Sequence, residues 1–294
     1  MEKIEIQFTL FSAFYAPLIA VMEAGFLEEE GIDATWSISP PGVSAIEALK
    51  AGTAHVIQTA PSQAFSELSA GKKPSAVHFA QINEMDGFFI SGRIDDPEFN
   101  WKKLEGAEVI SFGGGQPRAM FEYACFEAGV DISKINFVTP GSVSEMDLAF
   151  RKGVGSYIQQ QGPYPQQLEE DGLGHILAQS GPLIGPNAFS SVAATREWLS
   201  TETAKRFTRA YAKTRIWIGE TAPEDIAHCL SPYFPDTSLS ALKKCISTYQ
   251  QLGCWTPHIE ITPKALDRVY DVFERFGALN KRFDWGLVCA DPPV

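Results

Sequence analysis

A glycine-rich run is the sequence feature best suited to holding a ligand. Residues Gly113–Arg118 (Gly-Gly-Gly-Gln-Pro-Arg) follow a strand-like segment and lead into a helical one. The Gly-Lys-Ser/Thr ending of a phosphate-binding loop is missing, which argues against nucleotide binding. Glycine allows close backbone approach and the first N–H groups of a helix are unpaired, so the run suits an anionic or amide group. Arg118 is the one nearby cation, and it fits a ligand clamp or a solvated side chain almost equally.

Hydroxyl and aromatic side chains occur in other loops that follow predicted strands. Ser12, Ser44 and Ser62 could supply hydroxyl groups to a ligand, although Ser44 and Ser62 are explained equally well as helix caps. Phe14 and Tyr15 are the aromatic residues most suited to stacking on a flat ring or covering an apolar body. These residue types favour binding of a small organic molecule.

Metal binding and catalysis have little support in the sequence. The five cysteines are scattered, with no Cys-x-x-Cys pair, so we expect small buried side chains rather than disulfides or redox chemistry. The histidines fall mostly inside predicted strands or helices, and Cys254 and His258 form an isolated pair without further ligands nearby in sequence. Neither a Gly-x-Ser-x-Gly elbow nor a paired-carboxylate motif occurs. We therefore expect no metal, no cofactor and no enzymatic activity.

Charge and hydropathy restrict the partners. The 36 acidic and 24 basic residues give a formal net charge of -12, which repels phosphate backbones, so we expect no nucleic-acid partner. No run of 18 apolar residues is present, which argues against a membrane span. Met1 leads almost directly into a strand without a signal peptide. We expect a cytoplasmic protein if Met1 is the native start, and a periplasmic or cell-envelope protein if a signal peptide was removed.

The elements that position these residues alternate between strand and helix. Apolar spacing and turn residues predict strands at Ile4–Leu10, Ala34–Ser39 and His55–Thr59. The helices between them end at Gly25 and Gly52. Such alternation is typical of parallel strands covered by helices, in which ligands bind at the carboxyl ends of the strands.

The same landmarks recur about one hundred residues later. Gly25 is followed by Gly129, Gly42 by Gly141 and Gly52 by Gly153, at offsets of 104, 99 and 101 residues. Chance recurrence of turn residues is the alternative, but the constant order favours two similar units, one in each lobe.

Two linkers divide the chain. Asp95–Trp101 and Gly181–Asn187 have the polar and Pro/Gly-rich character of domain crossings, and Ser190–Ala194 is strand-like. We therefore predict a discontinuous first lobe, residues 1–93 and 188–294, and a second lobe, residues 94–187. C-terminal helices starting near Ser200, Pro223, Ser238 and Thr262 would complete the first lobe.

The motifs together are similar to those of a known family. Gly25–Asp33, Pro41-Gly42, Glu47–Gly52 and Ala60–Ser62 occur in the order found in solute-binding proteins for alkanesulfonate, nitrate, riboflavin and thiamine-pyrimidine precursors. The thiamine pyrimidine synthase is an enzymatic relative of that family. The resemblance covers nearly the whole chain and is strongest over residues 4–83. It implies an α/β protein of the type II periplasmic-binding-protein fold, with two α/β lobes joined by a two-stranded hinge.

The resemblance also implies a ligand site between the lobes, built from the loops that follow the strands. Gln161 stands where relatives often carry an acidic residue before Pro-Tyr, which argues against a cationic ligand. The expected ligand-binding residues are Ser12, Phe14, Tyr15, Pro41, Ser44, Thr59, Pro61, Ser62, Gln81, Asn83, Gly114, Gly115, Gln116, Arg118, Gln160, Gln161 and Tyr164.

The implied function is solute binding. We expect a monomer that closes around an aromatic, heterocyclic or sulfonated solute as the substrate-binding component of an ABC importer, with a transporter permease as partner. The alternative is a cytosolic ligand sensor or an enzyme on the same fold, such as a relative of the pyrimidine-precursor synthase or of ring decarboxylases. The cysteine-rich motif that the resemblance requires of the synthase is missing from this sequence.

Overall fold

The computed structural model describes all 294 residues and contains ten strands. They are β1 (Glu2–Phe8), β2 (Ile32–Ile38), β3 (Val56–Thr59), β4 (Val77–Asn83), β5 (Phe88–Gly92), β6 (Glu108–Ile110), β7 (Asn136–Val138), β8 (Tyr157–Gln161), β9 (His175–Gln179) and β10 (Ser190–Ala194). They form two five-stranded sheets, ordered β2-β1-β3-β10-β4 and β7-β6-β8-β5-β9. Each sheet defines one α/β lobe, as predicted.

Helices cover both sheets. They are α1 (Ala16–Glu23), α2 (Phe26–Glu29), α3 (Ile46–Ala51), α4 (Ala64–Ser69), α5 (Gly115–Glu127), α6 (Val143–Arg151), α7 (Tyr164–Glu170), α8 (Gly181–Ile184), α9 (Arg196–Leu199), α10 (Glu202–Glu220), α11 (Pro223–Leu230), α12 (Leu239–Gln251), α13 (Pro263–Arg275) and α14 (Trp285–Val288). None is both long enough and apolar enough to span a bilayer. The C-terminal helices begin within one or two residues of the predicted positions. The residue that caps the N-terminus of α10 is Thr201.

The two lobes have the same topology. In each sheet the first three strands of the repeat are parallel neighbours, and a strand that arrives from the other lobe pairs antiparallel with the third. β5 plays this part in the second sheet and β10 in the first. The repeated Gly and Pro landmarks therefore correspond to a repeated fold.

The first crossing between the lobes lies earlier than the sequence indicates. β5 is paired with β8 and β9 in the second sheet, so the chain crosses at residues 84–87 and the boundary predicted between residues 93 and 94 falls one strand too late. Asp95–Trp101 is polar because it is a surface loop inside the second lobe, and it is not a linker. The second crossing, residues 180–189, includes the predicted Gly181–Asn187 segment.

Apolar packing joins the halves. The largest core cluster contains 54 buried residues drawn from both lobes and from the C-terminal helices. α12 contacts α11 on the first lobe and α7 on the second. The two lobes are therefore in direct contact through these residues.

Candidate functional site

A cleft of about 420 Å³ lies where loops from both lobes meet. It is placed as the strand order requires, because the loops after β1 and β3 open toward the N-terminal end of α5. Its lining residues are Thr9, Leu10, Tyr15, Gly42, Val43, Ser44, Gln58, Thr59, Ala60, Gln63, Phe112, Gly114, Gly115, Gln116, Pro117, Phe189 and Ser190.

Six of the residues expected from the sequence line this cleft: Tyr15, Ser44, Thr59, Gly114, Gly115 and Gln116. Thr59 ends β3 and is 1% exposed, and its hydroxyl oxygen has no hydrogen-bond partner within the protein. The Ser44 hydroxyl accepts a hydrogen bond from Ile46 N at 3.3 Å, so this residue acts as a local cap as well. Thr59 is thus a deeply buried residue of the lining whose hydroxyl group the protein leaves unpaired, whereas Gln63 is the exposed polar side chain of the lining.

Gln116 connects the two lobes at the edge of the cleft. It lies in the first turn of α5 and is 3% exposed. Its Oε1 accepts a hydrogen bond from the Ser62 hydroxyl of the first lobe at 2.7 Å, and its Nε2 donates to the carbonyl oxygen of Phe189 at 2.5 Å. Both ends of the amide are therefore engaged by the protein, and Ser62 contributes to lobe contact rather than to the cleft surface.

A second set of polar contacts joins the lobes around Gly162. The Ser12 hydroxyl donates to Gly162 O at 2.8 Å, and Gly162 N donates to the Tyr249 hydroxyl at 2.7 Å. Gln161 Nε2 donates to the Tyr15 hydroxyl at 3.4 Å. Ser12 and Gln161, both expected to contact ligand, here hold the loop between β8 and α7 against the first lobe.

Other expected residues are packed inside the lobes. Phe14 is fully buried against Tyr249 and Phe189, and its carbonyl oxygen accepts a hydrogen bond from Asn83 Nδ2 at 2.6 Å. Gln81 is fully buried inside β4, where its Nε2 donates to Thr256 Oγ1 at 3.0 Å. β4 continues through Asn83, so these side chains belong to a strand and not to the loop that the sequence indicated. Pro61 is buried and Pro41 is exposed to solvent, and neither lines the cleft.

Arg118 does not reach the cleft. Its Nε donates to Glu122 at 2.6 Å, and its guanidinium lies 3.3 Å from the centre of the Phe137 ring. The pairing with Glu122 one turn later in α5 and the stacking on Phe137 in β7 satisfy the charge within the second lobe. The sequence-based choice of a ligand clamp is not supported by this placement.

Gln160 and Tyr164 face a different part of the lobe boundary. Tyr164 lines a second cavity of about 540 Å³ together with Asp147 and Arg151. Gln160 is fully buried, and its Nε2 donates to Asp147 Oδ1 at 3.1 Å. Arg151 forms ion pairs with Asp147 at 2.5 Å and with Asp171 at 2.6 Å. This second cavity is therefore lined by charged side chains, whereas the 420 Å³ cleft is not.

Sequence reasoning missed the residue that shapes the loop after β1. Gln58 is 3% exposed, and its Oε1 accepts hydrogen bonds from the backbone N–H groups of Thr9 and Leu10, each at 3.0 Å. Its Nε2 donates to the Ser190 hydroxyl at 2.8 Å. A polar residue inside an apolar strand such as Val56–Thr59 was the available signal. Phe112 and Phe189, also missed, give the cleft apolar walls.

The cleft lining carries no charged side chain. Its one titratable group is Tyr15, and burial raises the pKa of this phenol above its ordinary value. No group of three or more His, Cys, Asp or Glu side chains is arranged to hold a metal ion. Burial raises the pKa of the Cys125 and Cys289 thiols to about 12, which keeps them protonated and unreactive.

Two similar sheets, two chain crossings and a cleft between the lobes define a two-lobed binding-protein architecture. The fold is that of the type II periplasmic binding proteins. Residues 9–230 match the NMT1-like family, and the chain belongs to that family.

Individual relatives share the whole length of the chain. The Bacillus subtilis (strain 168) protein YtlA, named for a binding role, is 25% identical over 97% of this chain and 86% of its own. The ligand-binding component of an ABC-type import system from Staphylococcus aureus, solved with zinc, has a TM-score of 0.78 at 14% identity and covers 99% of this chain and 97% of its own.

An alkanesulfonate-binding protein is also similar in structure. SsuA from Xanthomonas axonopodis pv. citri, solved with MOPS, has a TM-score of 0.75 at 14% identity over 99% of both chains. The resemblance inferred from the sequence motifs is thereby confirmed. These relatives are binding proteins, which supports the expectation that the chain is not an enzyme.

Proposed function

We propose that the protein binds one small organic solute in the 420 Å³ cleft and closes its two lobes around it. The observation that carries this proposal is the composition of the cleft: the loops after β1 and β3 come from one lobe and the N-terminal turn of α5 comes from the other. A ligand that contacts both lobes favours the closed arrangement by its difference in affinity for the closed and open states.

The lining indicates the chemistry of the solute. Tyr15, Phe112 and Phe189 offer apolar and aromatic surface, whereas Thr59 and Gln63 offer hydrogen-bonding groups. No charged side chain is present to pair with a cation. The unpaired N–H groups of the first turn of α5 are suited to a polar or oxyanion group. A neutral or weakly anionic aromatic, heterocyclic or sulfonated compound fits this surface best.

The biological setting follows from the relatives. Two of them are named as components of import systems or as solute binders, which supports a role as the substrate-binding component of an ABC importer with a permease as partner. A protein with that role acts in the cell envelope, which is the location that we propose for it. Reconstitution of the chain with a candidate ABC permease, followed by measurement of stimulated ATP hydrolysis, tests this part of the proposal.

A thermal-shift screen tests the binding proposal. A compound that binds only the native state raises the melting temperature by mass action, by an amount equivalent to about 2.7 kcal/mol at one hundred times its Kd. The panel contains MOPS, methanesulfonate, aminopyrimidines and uncharged heterocycles. We expect at least one to raise the melting temperature in a saturable way. If compounds of all these classes leave the melting temperature unchanged, the proposed solute class is wrong.

A further inference from the structure

A buried carboxyl group lies where the chain passes between the lobes. Asp86 is fully buried in the first crossing, residues 84–87. Its Oδ1 accepts hydrogen bonds from Phe88 N at 3.0 Å and from the hydroxyl of Ser180, the first residue of the second crossing. Its Oδ2 is buried without a hydrogen-bond partner. The two hydrogen bonds offset only part of the free-energy cost of burying an ionised carboxylate in this position. A protonated carboxyl group carries no charge and avoids that cost.

The burial of Asp86 depends on both lobes. Phe88 and Ser180 belong to the β5 and β9 side of the second lobe. From the first lobe, the Tyr249 hydroxyl donates to Gly87 O at 3.0 Å, and Cys254 O accepts a hydrogen bond from Glu84 N at 3.0 Å. The two crossings also pack on each other, because Asn187 N donates to Glu84 O at 2.8 Å. We therefore expect a rotation of the lobes about these segments to change the surroundings of Asp86 and to admit water.

No cation compensates the carboxylate. The guanidinium of Arg215, a buried residue of α10, donates to carbonyl oxygens of Gln81 and Thr256 instead. His258 is 3.2 Å from the carboxylate of Glu84, two residues before Asp86.

The other titratable neighbours are neutral. Burial raises the pKa values of Tyr15, Tyr249 and Cys254 above their ordinary ranges. Burial also raises the pKa of Asp86 to about 6, although the hydrogen bonds from Ser180 and Phe88 partly offset this effect.

We propose that Asp86 and Ser180 form a proton-sensitive hinge clasp, in which the protonated acid stabilises the closed lobes and the ionised acid favours an open, hydrated hinge. This inference rests on lobe closure as given in the proposed function. In the closed state the carboxyl group keeps its proton up to about pH 6. In a hydrated hinge its pKa returns toward the ordinary value of about 4. The stabilisation of the closed state is therefore complete below about pH 4 and is lost as the pH rises through 6.

The test is small-angle X-ray scattering of the full chain without added ligand, from pH 4.5 to 8. We expect the radius of gyration of the wild-type protein to rise with pH, with the ratio of closed to open molecules falling by at most about a hundredfold. Asp86→Asn carries no titratable group and should remove this pH dependence. Asp225→Asn, a change of an exposed acid in α11, should leave it as in the wild type.

Ser180→Ala keeps the proposal testable if Asp86→Asn does not fold. Loss of the hydroxyl donor removes a contact that favours the ionised acid, so the midpoint of the transition should move to higher pH. A radius of gyration that does not change with pH in the wild type, the same pH dependence in Asp86→Asn, or an unshifted midpoint in Ser180→Ala would overturn the proposal. Because the experiment uses no ligand, its failure is distinguishable from failure of the compound screen, which tests the proposed function.

Discussion

Single hydroxyl and amide groups decide what the cleft can recognise. Thr59 belongs to the cleft lining and has a buried hydroxyl group without a hydrogen-bond partner, whereas the polar ends of Gln58 and Gln116 are occupied by the protein. Thr59 is therefore suited to contact the solute directly, and the two glutamines position the loops that surround it. An unpaired buried hydroxyl has a free-energy cost that a ligand can relieve.

We predict that Thr59→Val weakens binding of the compound with the largest thermal shift. The substitution preserves shape and removes one hydrogen bond of about 1 kcal/mol, which corresponds to a five- to tenfold rise in Kd by calorimetry. The unfolding free energy of the free protein should not fall and should rise somewhat, because the substitution removes a buried hydroxyl that has no hydrogen-bond partner. Thr203→Val in α10, far from the lining, is the control. Equal affinities for both variants would mean that Thr59 does not contact the solute.

Gln116 and Ser62 should be energetically coupled. Because the Ser62 hydroxyl donates to Gln116 Oε1, a double-mutant cycle to alanine should give a coupling energy of about 0.5–1.5 kcal/mol in urea unfolding. The control cycle combines Gln116→Ala with Ser75→Ala, whose hydroxyl donates to Glu67, and its coupling should be close to zero. Additive effects of Gln116 and Ser62 would show that this contact between lobes is absent in solution.

The candidate site was predictable where loops follow strands. Tyr15, Thr59 and the Gly114–Gln116 turn line the cleft, and they could be selected because a strand-end rule needs only local pattern. The rule failed for Gln81, which points into its own lobe from inside β4. It also failed for Arg118, because the Phe137 ring that holds the guanidinium lies on another strand and sequence spacing does not reveal it.

Strands, helices and their connections determine how the lobes touch. The Ser190–Ala194 strand and the starts of α11, α12 and α13 were predictable from apolar spacing and capping residues. The membership of Phe88–Gly92 in the second sheet was not predictable, since that strand is buried throughout and its partner residues in β8 and β9 come 65 to 90 residues later. Pairing over such separations leaves no local signal.

The loop between β8 and α7 has no room for a side chain at Gly162. A Cβ there would overlap Cys245 Sγ of α12 and approach Gln166 Oε1 to 2.9 Å. We predict that Gly162→Ala lowers the free energy of unfolding by about 1–3 kcal/mol, because the contact between α7 and α12 must shift. Urea denaturation measures the change.

Two further variants control this prediction. Gly162→Ala combined with Cys245→Ala should recover part of the lost stability, since the overlapping sulfur is removed. Gly219→Ala in α10 has open space around the new methyl group and should not destabilise the protein. A Gly162→Ala protein as stable as the wild type would contradict the close approach of α7 and α12 at this loop.

At the scale of the whole molecule, a repeated lobe accounts for the position of the cleft. Each lobe presents strand ends to the other, and the crossings at 84–87 and 180–189 are the only covalent connections between them. Hydrogen bonds through Gln116, Gly162 and Tyr249 also join the two lobes. We therefore expect ligand capture to depend on both lobes and not on either lobe alone.

Hydrogen–deuterium exchange with and without the compound selected by thermal shift tests this claim most directly. Ligand that bridges the lobes should slow amide exchange in segments 9–15 and 58–63 of the first lobe and in segment 112–117 of the second at the same ligand concentration. Segments 94–101, outside the cleft, serve as the internal control. Protection in one lobe only, or in segments that do not line the cleft, would contradict capture of the solute between two closing lobes.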